Sequence, residues 1–272
     1  MNSKERVLNL LKQEDGGFLS GESIAQTLGI SRTSVWKAIQ SLRQEGENIE
    51  AVTNRGYRLS DNPGDLSFRI LREEFPEEET LRILASTDST NREAKILALQ
   101  GAPDGTAVIA KEQSDGAGHG THRFWSPKGG IYLSVIRRFE SSVFKSSRDI
   151  TKFGAYAACQ AISSVCALNC QIRPVNDLYY NGRKIGGILT EGMEDAETGQ
   201  MNWTVIGVGI SFCIRQETFP RELQARCSSL YPDGKAGSSL SRLACELIRR
   251  LRGTPPDADT LEKLYDSLII HT

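Results

Sequence analysis

Residues 20–42 read Ser-Gly-Glu-Ser-Ile-Ala-Gln-Thr-Leu-Gly-Ile-Ser-Arg-Thr-Ser-Val-Trp-Lys-Ala-Ile-Gln-Ser-Leu, and few arrangements accommodate such a run. Ser20 is placed to cap a short helix over Ile24–Leu28, Gly29 stops it, and Ser31 caps another over Arg32–Leu42. Two helices joined by Leu28-Gly29-Ile30-Ser31 make a helix-turn-helix. Upstream, Ser3–Lys12 sets Val7, Leu8, Leu10 and Leu11 against Lys4, Glu5, Asn9 and Lys12, the pattern of a preceding helix, with a loop at Asp15-Gly16-Gly17. After Gly46, Ile49–Val52 and Gly56–Leu59 predict two short strands around Thr53-Asn54-Arg55, a wing.

The helix at Arg32–Leu42 buries Val35, Ile39 and Leu42 and presents Arg32, Thr33, Ser34 and Lys37 near its N-terminal end, the part that enters a major groove. These four, with Arg55 in the wing, are the candidate DNA contacts. A small helical domain used for protein contacts is the other reading, but helix-turn-helix and wing in one run favour DNA. Overall charge gives no guidance: 33 Lys and Arg against 34 Asp and Glu leave a net charge of −1, so any DNA-binding face must be local.

The polar stretch Ser60–Asp65, broken at Pro63-Gly64, reads as a linker, giving a division into residues 1–60, 61–66 and 67–272. Beyond it the pattern turns β-rich. Strands are predicted at Leu81–Ser86, Ala107–Gln113, Ile131–Arg138, Leu178–Tyr180, Arg183–Glu191 and Asn202–Phe212, with a two-residue hairpin turn at Asn181-Gly182. Helices are predicted at Thr90–Gln100, Ile150–Leu168 and Ser241–Leu251, so the second part is of the α+β class.

The N-terminus is too charged for a signal peptide, and no run approaches the ~18 apolar residues of a membrane span. Six cysteines lack metal-ligand spacing and suit the reduced thiols of a cytoplasmic protein. Cys166 and Cys170, four apart on an apolar helix, read as core thiols. His119 and His122 have no third ligand in view, so no bound metal is expected.

Four segments carry the chemistry: Asp88-Ser89-Thr90-Asn91; Glu112-Gln113-Ser114-Asp115-Gly116-Ala117-Gly118; Asn176 through Leu189; and Gly207-Val208-Gly209-Ile210. In this order behind a winged helix, they resemble the bifunctional biotin–protein ligase and biotin operon repressor family over nearly the whole chain. The resemblance implies a class II synthetase-like catalytic domain with a mixed sheet. It also implies that Ser89, Thr90, Asn91, Gln113, Gly116, Ala117, Gly118, His119 and Lys184 surround biotin and its adenylate, with Lys184 catalytic and Asn176, Asp177 and Ser211 near the nucleotide. Thr, Ser, Asn and Gln can pair a buried ureido group, and a lysine can neutralise a carboxylate meeting a phosphate. Taken alone, Lys184 is a solvated lysine beside a hairpin turn; Gly186-Gly187 after it would let a ligand approach the strand. Ser89-Thr90-Asn91 can serve as a helix N-cap, a binding segment, or both.

What the resemblance further implies is biotin and ATP as substrates with Mg²⁺, a biotin carboxyl carrier protein as acceptor, operator DNA as partner, and a homodimer on that DNA. The family's glycine loop reads Gly-Arg-Gly-Arg-Arg-Gly-Arg; here its arginine positions fall on Ala117, His119, Gly120 and His122. The loop thus resembles a phosphate loop that has lost its cations, and imidazoles, mostly neutral above pH 7, replace little of that charge. Arg173-Pro174-Val175-Asn176-Asp177 and Ser211 also depart from the family pattern, and the chain ends at Thr272 where relatives continue into a small C-terminal β-barrel. The expectation is a ligase and repressor with activity weakened, the alternative a biotin-responsive regulator with a vestigial ligase site.

Overall fold

The computed structural model describes residues 2–14, 17–45, 47–60, 62–76, 78–139, 143–144, 146–194 and 201–270. Asp15 and Gly16 of the expected first loop, Gly46, Asp61 of the expected linker, and the terminal His271 and Thr272 lie outside the described residues.

Three helices open the chain: α1 (Ser3–Gln13), α2 (Gly21–Leu28) and α3 (Arg32–Gln44). Each starts on a polar side chain that takes up an orphan backbone N–H. Asn2 and Glu5 form a reciprocal capping box on α1, Ser20 accepts from the Ser23 amide at 3.0 Å, and Ser31 accepts from the Ser34 amide at 3.1 Å. Gly29 ends α2 in the left-handed conformation (φ 65°), turning the chain into α3.

β1 (Ile49–Val52) and β2 (Gly56–Leu59) then pair antiparallel around Asn54, and Leu19 exchanges two backbone hydrogen bonds of 2.8 Å with Tyr57 on the outer side of β2. At Gly56 (φ 100°) a Cβ would stand 2.1 Å from the Leu19 carbonyl, so the wing requires glycine there. Val7, Leu11, Ile24, Val35, Ile39 and Leu42 close with Ile49 into a core separate from the rest of the protein.

The remainder is α4 (Phe68–Glu74), β3 (Leu81–Leu84), α5 (Thr90–Leu99), β4 (Ala107–Ala110), β5 (Gly130–Arg137), α6 (Ser147–Cys166), β6 (Gln171–Arg173), β7 (Asp177–Tyr180), β8 (Arg183–Glu194), β9 (Met201–Ser211), α7 (Arg221–Gln224), α8 (Leu240–Arg252) and α9 (Ala258–Asp266). The seven strands form one mixed sheet in the order β3-β4-β5-β9-β8-β7-β6, with β3 and β4 parallel and the other pairs antiparallel.

Strand alternation decides which residues meet which layer. Ile131, Leu133 and Val135 of β5, with Ile206, Val208 and Ile210 of β9, point into the large core under α6 and α8. Their neighbours Tyr132, Ser134, Gly207 and Gly209 therefore lie on the opposite face, where α5 packs through Ala94 and Ala98 against Val108, Ile136 and Val205. The mixed sheet with helices is the α+β arrangement expected from the sequence.

Several elements differ from expectation. β6 has one buried residue, Ile172, too short a run for alternation to register. α9 begins on the Asp257 cap after Pro255-Pro256, and α4 on the Ser67 cap, beyond the reach of the patterns used. α6 stops at Cys166 because Ala167 turns left-handed (φ 54°), so Cys170 is not on the helix with Cys166. Both thiols are buried, and Cys170 partners Cys159, whose thiol is pushed up by that contact and by burial.

The winged part is tied to the sheet by Lys111 Nζ, which donates to Asn48 Oδ1 at 2.8 Å, and the segment between them is held on α8 by Leu240 N to Pro63 O (2.8 Å) and Ser67 N to Ser241 Oγ (2.8 Å). No helix among the described residues is long and apolar enough to cross a membrane.

Candidate functional site

The N-terminus of α5, the hairpin after β4 and the glycine-rich stretches of β8 and β9 enclose a cavity of about 330 Å³. Its floor is possible because β9 has no side chains where others would project. A Cβ on Gly207 would stand 2.0 Å from Asn91 Oδ1, and one on Gly209 2.7 Å from the Phe124 ring. Gly186 is needed for another reason: its Cβ would press to 2.3 Å on the Gly209 carbonyl.

One wall, lined by Thr90, Asn91 and Gln113, is backed by a continuous hydrogen-bond network. Gln113 Oε1 accepts from the Thr90 amide (2.8 Å) and from Thr90 Oγ1 (3.1 Å), while Gln113 Nε2 donates to Ser126 Oγ (2.9 Å). Ser134 Oγ lies 2.8 Å from Thr90 Oγ1 and 2.6 Å from Asn91 Oδ1. Asn91 Nδ2 donates to Glu191 Oε2 at 2.9 Å, and Lys95 pairs with the other oxygen at 2.7 Å. Burial opposes the charge of Glu191, yet the Lys95 ammonium and the Asn91 amide hold its carboxyl below the usual range. Thr90, Asn91 and Ser134 are all buried, so the network fixes their orientation. Ser89 also lines the cavity and accepts from the Arg92 amide at 3.5 Å, serving as N-cap and lining at once.

The opposite wall comes from β7 and β8. Lys184 Nζ sits 2.5 Å from Asp177 Oδ1, both half-buried, and Asn176 is locked to Ile188 by paired 2.9 Å bonds. Lys184, Asp177 and Asn176 all face the cavity.

Residues 116–124 form a small hairpin over the opening. Phe124 N donates to Gly116 O (2.8 Å), Gly118 N to His122 O (2.9 Å), and Gly120 turns the tip with φ 65°. The Gly118 amide is therefore consumed within the hairpin rather than offered to a ligand. Ala117, Gly118, His119 and His122 line the cavity. Gly116 does not: a Cβ there would meet Phe124 O and Ser126 Oγ at 2.5 Å, so it packs the hairpin base. Ser211 is likewise outside the cavity lining: it shares a strand face with Gly207 and Gly209 but lies beyond the cavity, buried at the end of β9 opposite Gly130.

Sequence reasoning missed Ser134, Ser126 and Glu191. Ser134 had a signal, as the polar residue inside Ile131-Tyr132-Leu133-Ser134-Val135-Ile136. Among the described residues no group of three or more His, Cys, Asp or Glu could hold a metal ion.

On the winged part, Arg32, Thr33 and Lys37 are exposed on α3, while Ser34 is partly covered, its Oγ 2.9 Å from that of Ser31. A groove between α3 and the wing is lined by Arg32, Thr33, Thr53 and Asn54, and by Trp36, which is 53% exposed and was not anticipated. Arg55 is exposed at the wing turn with its guanidinium 4.4 Å over the Phe18 ring, and it does not line this groove.

Residues 4–58 match the HTH domain family, and residues 83–211 match the Biotin/lipoate A/B protein ligase family. The bifunctional ligase/repressor BirA of Bacillus spizizenii is 36% identical over 231 residues, covering 84% of this chain and 70% of that protein. That of Bacillus subtilis is 35% identical over 243 residues, covering 88% of this chain and 73% of that protein. The chain belongs to the bifunctional biotin ligase/repressor family. The fold agrees: the biotin protein ligase of Aquifex aeolicus in complex with biotin and ATP superposes with a TM-score of 0.52 at 21% identity, over 69% of this chain and 72% of that one. Membership in the ligase/repressor family gives no support to the expectation of a weakened ligase activity.

Proposed function

We propose that the cavity binds biotin with its ureido ring against the Gln113–Thr90–Ser134–Asn91 network and its carboxylate toward Lys184. The observation that carries this reading is that network, held across three separate segments, with its members Thr90, Asn91 and Gln113 lining the same cavity as Lys184. A ureido group offers one carbonyl acceptor and two N–H donors, and a wall of hydroxyls and amides can satisfy both. Ser89 and Asn91 flank the ring, and the floor provided by Gly207 and Gly209 leaves room for it.

ATP enters under the hairpin, beside Ala117, Gly118 and His119 and opposite Asn176 and Asp177, bringing Mg²⁺ on its phosphates. A biotin carboxylate oxygen attacks the α-phosphorus, the α–β bridging bond breaks, and pyrophosphate leaves. A lysine amine of a biotin carboxyl carrier protein then attacks the acyl carbon, forming an amide as AMP departs and the amine loses a proton. Lys184 is positioned to offset the charge that gathers where carboxylate meets phosphate.

Residues 1–60 form the DNA-binding unit, 61–66 the linker and 67–272 the ligase unit, in a cytoplasmic protein that dimerises on operator DNA. Arg32→Ala is expected to weaken retention on duplex DNA by about 1–3 kcal/mol if the guanidinium reads a base edge, and uniformly across sequences with a shallower salt slope if it pairs with phosphate. Gel retardation over a salt series separates the two, and unchanged binding at every salt concentration counts against α3 as the reading helix.

Calorimetry tests the cavity. The full chain is expected to bind biotin alone, and Gln113→Leu, which removes the partner of Thr90, is expected to lower that affinity by roughly tenfold or more. Tight ATP binding with no biotin binding in the wild-type chain would overturn the site.

A further inference from the structure

A hydroxyl donates one hydrogen, so the direction of each bond in the wall is decided by the groups at its two ends. At one end stands Gln113. Its Nε2 donates to Ser126 Oγ at 2.9 Å, and Ser126 gives its own hydrogen to Phe124 O at 2.7 Å, which leaves Gln113 Oε1 turned to Thr90. At the other end stands Asn91. Glu191 Oε2 at 2.9 Å and Leu189 O at 3.4 Å take the two hydrogens of its Nδ2, so its Oδ1 is turned to Ser134 and to the cavity floor at Gly207.

Both ends are therefore carbonyl oxygens. From Asn91 Oδ1 through Ser134 Oγ and Thr90 Oγ1 to Gln113 Oε1 run three successive oxygen–oxygen contacts of 2.6, 2.8 and 3.1 Å, and the two hydroxyls between the ends bring one hydrogen each. Two hydrogens cannot fill three contacts. The wall is short of one donor, and a ligand N–H aimed at Asn91 Oδ1 or Gln113 Oε1 supplies it.

What keeps the wall in this state on the Asn91 side is Glu191, which stands behind the cavity lining on β8, partly buried. An ionised carboxylate accepts and never donates, and Lys95 Nζ, 2.7 Å from its other oxygen, favours the ionised form. With a donor in place of that carboxylate, the Asn91 amide would turn over, present Nδ2 to Ser134, and fill the missing contact from within. We propose that Glu191 is the positioning residue of the biotin wall: acting through Asn91, it keeps the wall rich in acceptors and so selects a ring that carries N–H donors. The assignment rests on the reading that this cavity takes biotin, whose ureido ring has two such groups.

The experiment uses the full chain with Glu191→Gln, alone and combined with Lys95→Met. Beside Lys95 the new amide turns its oxygen to the ammonium and its Nε2 to Asn91, which reverses the polarity of the wall with no change of shape. Without Lys95 the amide can offer its oxygen to Asn91 again. In calorimetry, Glu191→Gln is expected to weaken biotin binding by roughly tenfold to a hundredfold, with ATP affinity at saturating biotin within about twofold. Adding Lys95→Met is expected to recover most of that loss. A cyclic carbonate analogue of biotin, with oxygens in place of both ring N–H groups, reads the selection itself: the wild-type preference for biotin, at least about a hundredfold, should shrink by roughly tenfold in Glu191→Gln. A Glu191→Gln chain with wild-type biotin affinity and wild-type preference overturns the assignment alone, as does a loss that Lys95→Met deepens. A wild-type chain that binds no biotin overturns the cavity reading and the assignment with it.

Discussion

Lys184→Met is expected to lower the rate of biotinyl-adenylate formation by about 10²–10³-fold, the cost of removing one preorganised charge from a site where negative charge develops. The corresponding ~2.7–4 kcal/mol should appear in the reaction and not in the fold. Lys184 and Asp177 are each roughly a third exposed, at 32% and 27%, so their ion pair contributes little to stability and the carboxylate left behind remains hydrated. Lys184→Arg keeps the charge but replaces a compact ammonium with a longer planar fork, and is expected to recover only part of the rate. Initial rates at saturating biotin and ATP, alongside thermal melts, check both. A methionine variant that melts like the wild type and reacts within a few-fold of it would remove Lys184 from the chemistry.

Gly207→Ala is expected to damage the biotin wall without touching any group that contacts phosphate. The added methyl would stand 2.0 Å from Asn91 Oδ1 and 2.8 Å from Cγ, so Asn91 must leave its places beside Ser134 and Glu191. Overpacking of this kind costs about 1–3 kcal/mol in stability. Displacing the buried amide should lower biotin affinity by roughly a hundredfold, since buried groups that lose their partners carry the full desolvation penalty. Gly187→Ala provides the contrast. Its methyl would find Asn176 O at 3.4 Å, a contact the strand can absorb, so it should narrow the cavity while leaving the melting temperature nearly unchanged. Calorimetry and denaturant titration of both variants separate cavity loss from fold loss; equal biotin affinity in wild type and Gly207→Ala would show that Asn91 is not part of the wall.

Much of this architecture could be read from local patterns, because those patterns have local causes. Ser20, Gly29 and Ser31 act within one helical turn, and each adopts the capping role its type favours. The strands Arg183–Glu194 and Met201–Ser211 are long enough for alternation to show, and Asn181-Gly182 joins β7 to β8 with both residues at positive φ, as a two-residue hairpin demands. What stayed hidden depends on partners distant in sequence. Ser134 matters because Thr90 and Asn91 lie against it, 44 and 43 residues away. Glu191 matters because Lys95 and Asn91 reach it across about the same face of the sheet. The glycine loop was legible as a loop, but its pairing was not: only the backbone register puts Arg123 opposite Ala117 and ties the Gly118 amide to His122. Trp36 is a further case: an aromatic on an amphipathic helix is ordinarily core, whereas here it faces the groove beside the wing.

One cavity is proposed to bring biotin against the Thr90–Gln113 network and to activate its carboxylate beside Lys184. Incubating the full chain with biotin, Mg²⁺ and ATP labelled at the α-phosphate, then separating the products, tests it most directly. Labelled biotinyl-adenylate is expected to form in the wild type, to require biotin, and to fall by about two orders of magnitude or more in Lys184→Met. A wild-type chain that binds biotin yet yields no labelled adenylate would contradict it.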